Sequence, residues 1–239
     1  MQDKETLWHQ KRLGKITSSN LHLLNTSAPK WTKTAISYLY SLQRQRLLKQ
    51  PKKSVVTYAM QIGIDNEPYA VEWIRENLKL KVEHCDVDFD EKVFIETDWG
   101  LGDSPDGYVY DKDEKLLLEI KCLVTDGKVD WFFSPTVPYD KKKGEMFKEH
   151  KNQLAGHLLA HPDINKVMLM IYDPQDDDDM NDLRSPLCST RGLVFIYDRA
   201  EFGDLIETTK ERVIIAEEWL QSGKDLDEMM KIKPSIKNE

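Results

Sequence analysis

Three charged residues near the middle of the chain have the types and spacing that metal-dependent phosphodiester hydrolysis requires. Asp106 stands in the segment Asp-Ser-Pro-Asp-Gly, and Glu119 and Lys121 follow in Leu-Glu-Ile-Lys-Cys. Such hydrolysis needs hard anionic oxygen ligands held together, with a cation near the phosphate or the attacking water. The two carboxylates are therefore candidate ligands of Mg²⁺ or Mn²⁺, with the backbone carbonyl of Ile120 as a third ligand. Lys121 would orient or deprotonate the attacking water, or neutralise charge on the phosphate.

A predicted β-hairpin positions these groups. Two short β-rich runs flank a polar turn at residues 111–115. Because side chains alternate along a strand, Glu119 and Lys121 would project to one face while their apolar neighbours enter the core. Pairing across the turn would carry the Asp106 carboxylate to the Glu119 side.

The same pattern also fits an ion pair on an exposed hairpin. Glu-x-Lys recurs at Glu149-His-Lys151, in a chain of which 32% of the residues are charged. The Glu119 copy directly follows a Leu-Leu-Leu run, which predicts a buried strand. From the residues alone, a nuclease site and a surface salt bridge remain open alternatives.

Composition indicates a protein that folds without disulfides. The 239 residues are 40% hydrophobic, which is enough to bury a core. Three cysteines, an odd number without CxxC spacing, argue against a disulfide framework or a zinc knuckle and favour a reducing cytoplasm. The first residues contain no apolar signal core, and no run approaches the length of a membrane span. We therefore expect neither secretion nor insertion into a membrane.

The net charge of −8 argues against a protein that coats nucleic acid over its whole surface. Lysines and arginines cluster locally, at 44–46, 49–53 and 141–143. An acidic exterior with a basic channel would reconcile the net charge with DNA binding.

The wider pattern predicts an α/β (α+β) fold, with a central mixed β-sheet flanked by helices. One domain is expected over 1–223, with a mainly helical part at 1–80 and the core at 81–223. The charged tail 224–239 is expected to be partly disordered. Helices are predicted at 34–50, 66–77, 144–161 and 200–222. Strands are predicted at 82–89, 92–96, 107–110, 116–122, 166–172 and 192–197.

Four segments between residue 8 and residue 156 share the order and composition of one family's motifs. They are Trp8-His-Gln-Lys-Arg-Leu-Gly-Lys-Ile-Thr-Ser-Ser19, Gly63-Ile-Asp-Asn-Glu67, the Asp-Ser-Pro-Asp-Gly to Leu-Glu-Ile-Lys-Cys stretch, and Asn152-Gln-Leu-Ala-Gly156. Together they resemble the phage lambda exonuclease and YqaJ-type viral recombinase family of PD-(D/E)xK nucleases. The resemblance implies a core like that of the restriction endonucleases.

The resemblance also implies roles for residues outside the hairpin. Glu67 would reach the active site from a helix start, and Gln153 would lie near the metals. A pocket for the 5′-phosphate of the DNA end would consist of Arg12, Thr17, Ser19 and Ser104.

Simpler explanations exist for several of these residues. Thr17 and Ser19 could cap a helix, and Glu67 before Pro68 could begin one. His150 and His157, seven residues apart, are expected to be surface or interface residues rather than zinc ligands.

As a whole, the resemblance implies a 5′→3′ exonuclease that degrades linear double-stranded DNA from its ends to 5′-mononucleotides. It implies two Mg²⁺ ions per active site, a ring-shaped homotrimer, and a single-strand annealing partner in phage-type recombination. The expected location is the cytoplasm of a bacterium or phage-infected host. One alternative is a structure- or sequence-specific endonuclease of the same fold, and another is a non-catalytic DNA- or protein-binding module.

Overall fold

A computed structural model of the chain describes residues 4–28, 30–51, 56–89, 92–174 and 192–223. The predicted charged tail, 224–239, lies outside these residues. The helices are α1 (Lys4–Arg12), α2 (Leu21–Leu24), α3 (Lys33–Leu48), α4 (Tyr58–Trp73), α5 (Asp126–Phe133), α6 (Tyr139–Ala160) and α7 (Leu205–Ser222). The strands are β1 (Ile16–Thr17), β2 (Lys81–His84), β3 (Ile95–Glu96), β4 (Leu101–Asp103), β5 (Gly107–Asp111), β6 (Glu114–Cys122), β7 (Lys166–Tyr172) and β8 (Gly192–Asp198).

Within the described residues the strands form two sheets. The larger has the order β2-β5-β6-β7-β8, with β6 and β7 parallel and every other pair antiparallel. The smaller has the order β1-β4-β3, in which β1 pairs parallel with β4. The mixed sheet flanked by helices confirms the predicted α/β class.

Helices cover both faces of the larger sheet because β7 carries buried apolar side chains on both. The parallel step from β6 to β7 requires a crossover, and α5 and α6 supply it on one face. Leu117 packs on that face against Leu154 of α6, whereas Leu118 and Ile120 pack on the other face against Val71 of α4. The predicted alternation along β6 is thereby confirmed.

A second hydrophobic cluster joins the N-terminal helices to α7. Leu39 and Leu42 of α3 pack there with Val213 and Trp219 of α7. Arg46, which lies in one of the basic clusters of the sequence, donates to both carboxylate oxygens of Glu217 at 2.9 and 2.7 Å. The Arg46 charge therefore connects α3 to α7. Among the described helices, none is both long and apolar enough to cross a membrane.

Two predicted strands are shorter than expected. The strand predicted at 82–89 ends at His84, where the chain turns so that the Asp88 carboxylate accepts from the His84 backbone N–H at 2.7 Å. The run 92–96 contributes only Ile95 and Glu96, and these pair with β4 in the smaller sheet. Side-chain alternation predicts extended backbone, but it does not predict where a local turn ends the pairing.

The helix predicted at 66–77 begins eight residues earlier. Thr57 is its N-cap and accepts from the Met60 backbone N–H at 3.3 Å. Glu67 and Pro68 lie inside α4, so the interpretation of Glu67 as a helix start is wrong. Proline is unfavourable inside a helix because it lacks the N–H that would bond to residue i−4, here Ile64. Packing of Ala70, Val71 and Ile74 against the sheet holds the helix through this position.

Candidate active site

A single cleft contains every residue that the sequence or the family resemblance selected. The cleft has a volume of about 370 Å³ and lies at the carboxyl end of β6, between α4 and α6. The selected residues that line it are Arg12, Thr17, Ser19, Glu67, Ser104, Asp106, Glu119, Ile120, Lys121 and Gln153. Segments that are more than 100 residues apart in the chain therefore form one concave surface.

The hairpin brings Asp106 beside β6, the strand that carries Glu119, as predicted. Gly107 pairs with Leu118, so Asp106, one residue before Gly107, lies beside Glu119, one residue after Leu118. The Asp106 backbone N–H donates to the Leu118 carbonyl at 3.0 Å. The Ile120 backbone N–H donates to Oδ2 of Asp106 at 2.6 Å. The Asp106 carboxylate is therefore fixed against the strand that carries Glu119.

Glu119 is buried, with only 2% of its surface exposed. Its Oε1 accepts from Nε2 of Gln153 at 2.6 Å and from Nζ of Lys121. Lys121 Nζ also donates to Oε1 of Gln153 at 3.2 Å. Gln153 thus forms hydrogen bonds with both Glu119 and Lys121. Only the family resemblance predicted a place for Gln153 in this site.

The charges of the site differ in how well they are compensated. Burial alone would raise the pKa of Glu119, but the charge of Lys121 and the hydrogen bond from His157 lower it to about 2. Desolvation, together with the charges of Glu119 and Glu67, raises the pKa of Asp106 well above its ordinary value. Desolvation lowers the pKa of Lys121, but the negative charges of Glu119 and Asp106 raise it above its ordinary value. The negative charge of Asp106 is therefore repelled by neighbouring carboxylates, whereas the negative charge of Glu119 is compensated by Lys121 and His157.

His157 is a site residue whose place was predicted wrongly from the sequence. It is 1% exposed, and its Nε2 lies 2.8 Å from Oε2 of Glu119. Its Nδ1 lies 2.8 Å from Oδ1 of Asp103, which is also 1% exposed. Burial would lower the pKa of His157, but the two carboxylates raise it from 6.5 to about 10. The expectation of a surface or interface histidine is wrong for this residue.

A positional signal for His157 was present in the sequence. His157 follows Gln153 by four residues, so the two side chains share a face of α6. The helix also approaches the segment that follows β1 closely. A Cβ on Gly156 would lie 2.6 Å from Cδ1 of Leu21 and 2.6 Å from Oγ of Ser18. The glycine before His157 therefore allows the close approach of α6 to this segment.

Glu67 and His84 form the wall of the cleft opposite α6. Oε2 of Glu67 lies 3.7 Å from Nε2 of His84. His84 is 3% exposed, and neither of its ring nitrogens has a hydrogen-bond partner in the described part of the chain. His84 lies at the end of β2 beside Asp106, and no sequence motif singled it out.

The predicted phosphate-binding residues line the same cleft. The Arg12 guanidinium stacks over the Trp8 ring, with its Cζ 4.2 Å from the ring centroid. Trp8 donates from Nε1 to Oγ of Ser104 at 3.2 Å, and Ser104 donates to the Val93 carbonyl at 2.7 Å. In this arrangement Trp8, which was not selected, positions Arg12 and Ser104. Because Ser104 donates its single hydroxyl proton to Val93, that proton is not available to a phosphate.

Thr17 and Ser19 face each other in the same region. Their hydroxyl oxygens are 3.3 Å apart, and Thr17 Oγ1 accepts from Nδ2 of Asn20 at 2.9 Å. Thr17 precedes the short helical turn 18–20 but makes no side-chain capping bond to it. The capping interpretation is therefore wrong for Thr17. Its hydroxyl instead contacts the side chains of Ser19 and Asn20.

The oxygen donors of the cleft fit a small divalent cation. In the described ranges no three His, Cys, Asp or Glu side chains converge into a ready-made metal cage. Mg²⁺ does not require one, because it keeps several waters and is usually bound by one or two carboxylates. Asp106 and Glu119 supply two, and the Ile120 carbonyl follows Glu119 in the strand. The crowding of Asp106 by Glu119 and Glu67 is the kind of repulsion that a cation relieves.

Both the sequence and the fold of this chain resemble those of known proteins. A family model described as a YqaJ-like viral recombinase domain matches residues 7–155. The crystal structure of an alkaline exonuclease from Laribacter hongkongensis is similar at a TM-score of 0.65 and 23% identity, covering 91% of this chain and 93% of that one. That exonuclease has also been solved in complex with dAMP.

A second solved structure has the same architecture. It is a phage-related exonuclease from Haemophilus somnus 129PT, with a TM-score of 0.63 and 19% identity over 90% of this chain and 96% of that one. No curated protein sequence matches significantly. These structural similarities establish the fold, and the family match covers every residue that lines the cleft except His157.

Proposed function

This chain belongs to the YqaJ-like viral recombinase family, and we propose that it is a Mg²⁺-dependent nuclease that degrades linear double-stranded DNA. In this proposal it works as a 5′→3′ exonuclease and releases 5′-mononucleotides. The observation that carries the proposal is the convergence of Asp106, Glu119 and Lys121 on one cleft that Arg12 also lines. A carboxylate pair beside an anion-binding arginine is what a phosphodiester substrate requires.

Asp106, Glu119 and the Ile120 carbonyl would hold the metal. Two Mg²⁺ ions bound there, for which Mn²⁺ would substitute, would supply Lewis acidity and lower the pKa of the attacking water. Lys121 is a cation beside Glu119 and would stabilise negative charge that develops on the phosphate. Gln153, which touches both side chains, would keep Lys121 directed at the reacting group.

The arginine that lines the cleft supports the proposed direction. Arg12 has a planar guanidinium suited to a phosphate monoester, and its position over Trp8 restricts its rotation. A terminal 5′-phosphate bound there would place a neighbouring phosphodiester near the carboxylates. The crystal structure of the Laribacter exonuclease with dAMP is consistent with a mononucleotide product for that protein.

The biological role we propose is the resection of DNA ends in phage-type recombination. A single-strand annealing protein would bind the strand that remains. A ring-shaped homotrimer that encloses DNA would keep the nuclease on its substrate, and light scattering coupled to size-exclusion chromatography tests that assembly. This role places the protein in the cytoplasm of a bacterium or phage-infected host.

The decisive experiment compares linear with covalently closed circular duplex DNA, with and without a 5′-phosphate, in EDTA, Mg²⁺ and Mn²⁺. We expect metal-dependent loss of the linear duplex and an intact circle. Cleavage of the circle would instead indicate an endonuclease of the same fold. No degradation of either substrate would indicate a non-catalytic binding module.

Two glutamate variants test whether the activity depends on the cleft. Glu119→Gln should abolish degradation. Glu114→Gln changes the same residue type in the same strand, where Glu114 pairs with Lys166 in an exposed ion pair, and should leave degradation unchanged. Equal activity of the two variants would contradict the assigned site.

A further inference from the structure

We propose that His157 is a positioning residue that fixes the orientation of Glu119 and is itself held in place by Asp103. The inference rests on the proposed function, because Glu119 is the metal ligand that His157 would orient. It adds two residues, His157 and Asp103, to which neither the motifs nor the family resemblance gave a role in the site. Contacts, burial and helix geometry support it.

Both oxygens of Glu119 are held from α6. Gln153 donates to Oε1 at 2.6 Å, and His157 lies 2.8 Å from Oε2. The two side chains extend from consecutive turns of the helix, so one rigid helix face holds both ends of the carboxylate. A glutamate side chain held at both oxygens cannot rotate, which removes an entropic cost of metal binding.

The far side of the histidine ring is held by Asp103. Carboxylates are acceptors, so a ring lying 2.8 Å from a carboxylate at each nitrogen donates at both Nδ1 and Nε2. Asp103 fixes the ring plane from β4, and its side chain is fully buried. His161 Nε2 lies 3.2 Å from the other Asp103 oxygen, although not in hydrogen-bond geometry. Asp103 is thus held between two histidines.

Glu119 keeps acceptor capacity for a cation despite these contacts. A carboxylate offers about four lone-pair sites. The hydrogen bonds to Glu119 come from Gln153 and Lys121 at Oε1, and from His157 at Oε2. Oε2 therefore keeps a free lone pair while its position is set by His157. Without His157, Oε2 would be held only indirectly, through Oε1.

A purely structural role for the same contacts makes a different prediction. If His157 only neutralised buried carboxylates, its loss would lower stability and leave the metal affinity of the folded protein unchanged. The positioning role predicts a loss of metal affinity in protein that is still folded. His161 is the matched control, because it is a buried histidine one turn further along the chain that contacts Asp103 but not Glu119.

The test is calorimetric titration of the full chain with Mn²⁺ at constant pH, together with steady-state degradation of linear duplex. We expect His157→Ala to weaken Mn²⁺ binding and lower kcat by about 10- to 100-fold, with an unchanged KM for DNA. His157→Gln keeps an amide donor for Glu119 and should recover part of both losses. Asp103→Asn should have an intermediate effect, and His161→Ala should keep wild-type Mn²⁺ affinity.

Two results would overturn the proposal. One is wild-type Mn²⁺ affinity and kcat in folded His157→Ala. The other is an equal loss of affinity in His157→Ala and His161→Ala. If wild-type protein itself neither binds Mn²⁺ nor degrades DNA, the proposed function fails, and the positioning role fails with it. Circular dichroism spectra of each variant identify the folded proteins. If His157→Ala does not fold, Asp103→Asn is the test, and wild-type Mn²⁺ affinity in folded Asp103→Asn would then overturn the proposal.

Discussion

The backbone N–H of Ile120 donates a 2.6 Å hydrogen bond to the side-chain carboxylate of Asp106. This bond links the two strands of the hairpin at the point where the candidate metal ligands meet. Asp106 is therefore oriented by the backbone of β6, whereas Glu119 is oriented by side chains of α6. The two carboxylates have different supports, and changes to them should have different consequences.

Removing the Asp106 charge should separate stability from activity. Its raised pKa reflects desolvation and repulsion from Glu119 and Glu67, which weaken the metal-free fold at neutral pH. Asp106→Asn keeps an acceptor for the Ile120 N–H and removes the repulsion. We expect the free energy of unfolding in EDTA to rise by on the order of 1 kcal/mol while degradation of linear DNA is lost. Urea unfolding and a nuclease assay measure the two effects, and a destabilised or active variant would contradict this account.

Replacing Lys121 by methionine should affect turnover more than metal binding. Methionine keeps most of the side-chain volume but cannot donate to Glu119 or Gln153. We expect kcat to fall by about 10²- to 10³-fold, the effect of losing one stabilising donor, with a smaller change in Mn²⁺ affinity. Lys115→Met is the control, because Lys115 lies in the same strand over the Tyr108 ring and outside the cleft.

Arg12 should determine the preference for phosphorylated ends. Arg12→Lys keeps the positive charge but loses the planar fork that matches a phosphate. We expect KM to rise for linear DNA with a 5′-phosphate and to stay constant for DNA with a 5′-hydroxyl. Trp8→Phe should shift KM in the same direction, because it removes the Nε1 donor to Ser104. An equal effect on both kinds of end would exclude a 5′-phosphate pocket at Arg12.

Two glycines of α6 should respond in opposite directions to alanine. A Cβ at position 156 would lie 2.6 Å from both Leu21 and Ser18, so Gly156→Ala should cost about 1–3 kcal/mol by overpacking. A Cβ at position 144 would have no neighbour within 4 Å, so Gly144→Ala should stabilise the helix by up to about 1 kcal/mol. Thermal unfolding of the two variants measures both effects, and stabilisation by Gly156→Ala would disprove the close contact.

The charge of His157 should make stability decrease at alkaline pH. The folded-state pKa of about 10 lies above the ordinary value of 6.5, so the folded protein holds a proton that the unfolded chain releases. This stabilisation is fully present below pH 6.5 and is lost as the pH rises through 10, at up to about 1.4 kcal/mol per pH unit. Urea unfolding in EDTA between about pH 7 and 9 should show a steeper decrease for wild type than for His157→Gln. Equal slopes would show that the ring is neutral.

The sequence by itself determined the local part of the site. Alternation along β6 placed Glu119 and Lys121 on one face, and the polar turn brought Asp106 beside them, as the structure confirms. These relationships depend on the two-residue period of a strand and on pairing across a short turn, both of which are local. The motif order also indicated the family, which the match over residues 7–155 confirms.

The tertiary structure decided which side chains surround that hairpin. His157 is 54 residues from Asp103 and 38 from Glu119 in the chain, and the three meet because α6 crosses from β6 to β7 over one sheet face. In the sequence, His157 shares a face of its helix with Gln153, but the local pattern does not show whether that face is exposed or buried. The distinction arises from the close packing of α6 at Gly156, which removes water from the imidazole and leaves the two carboxylates as its partners.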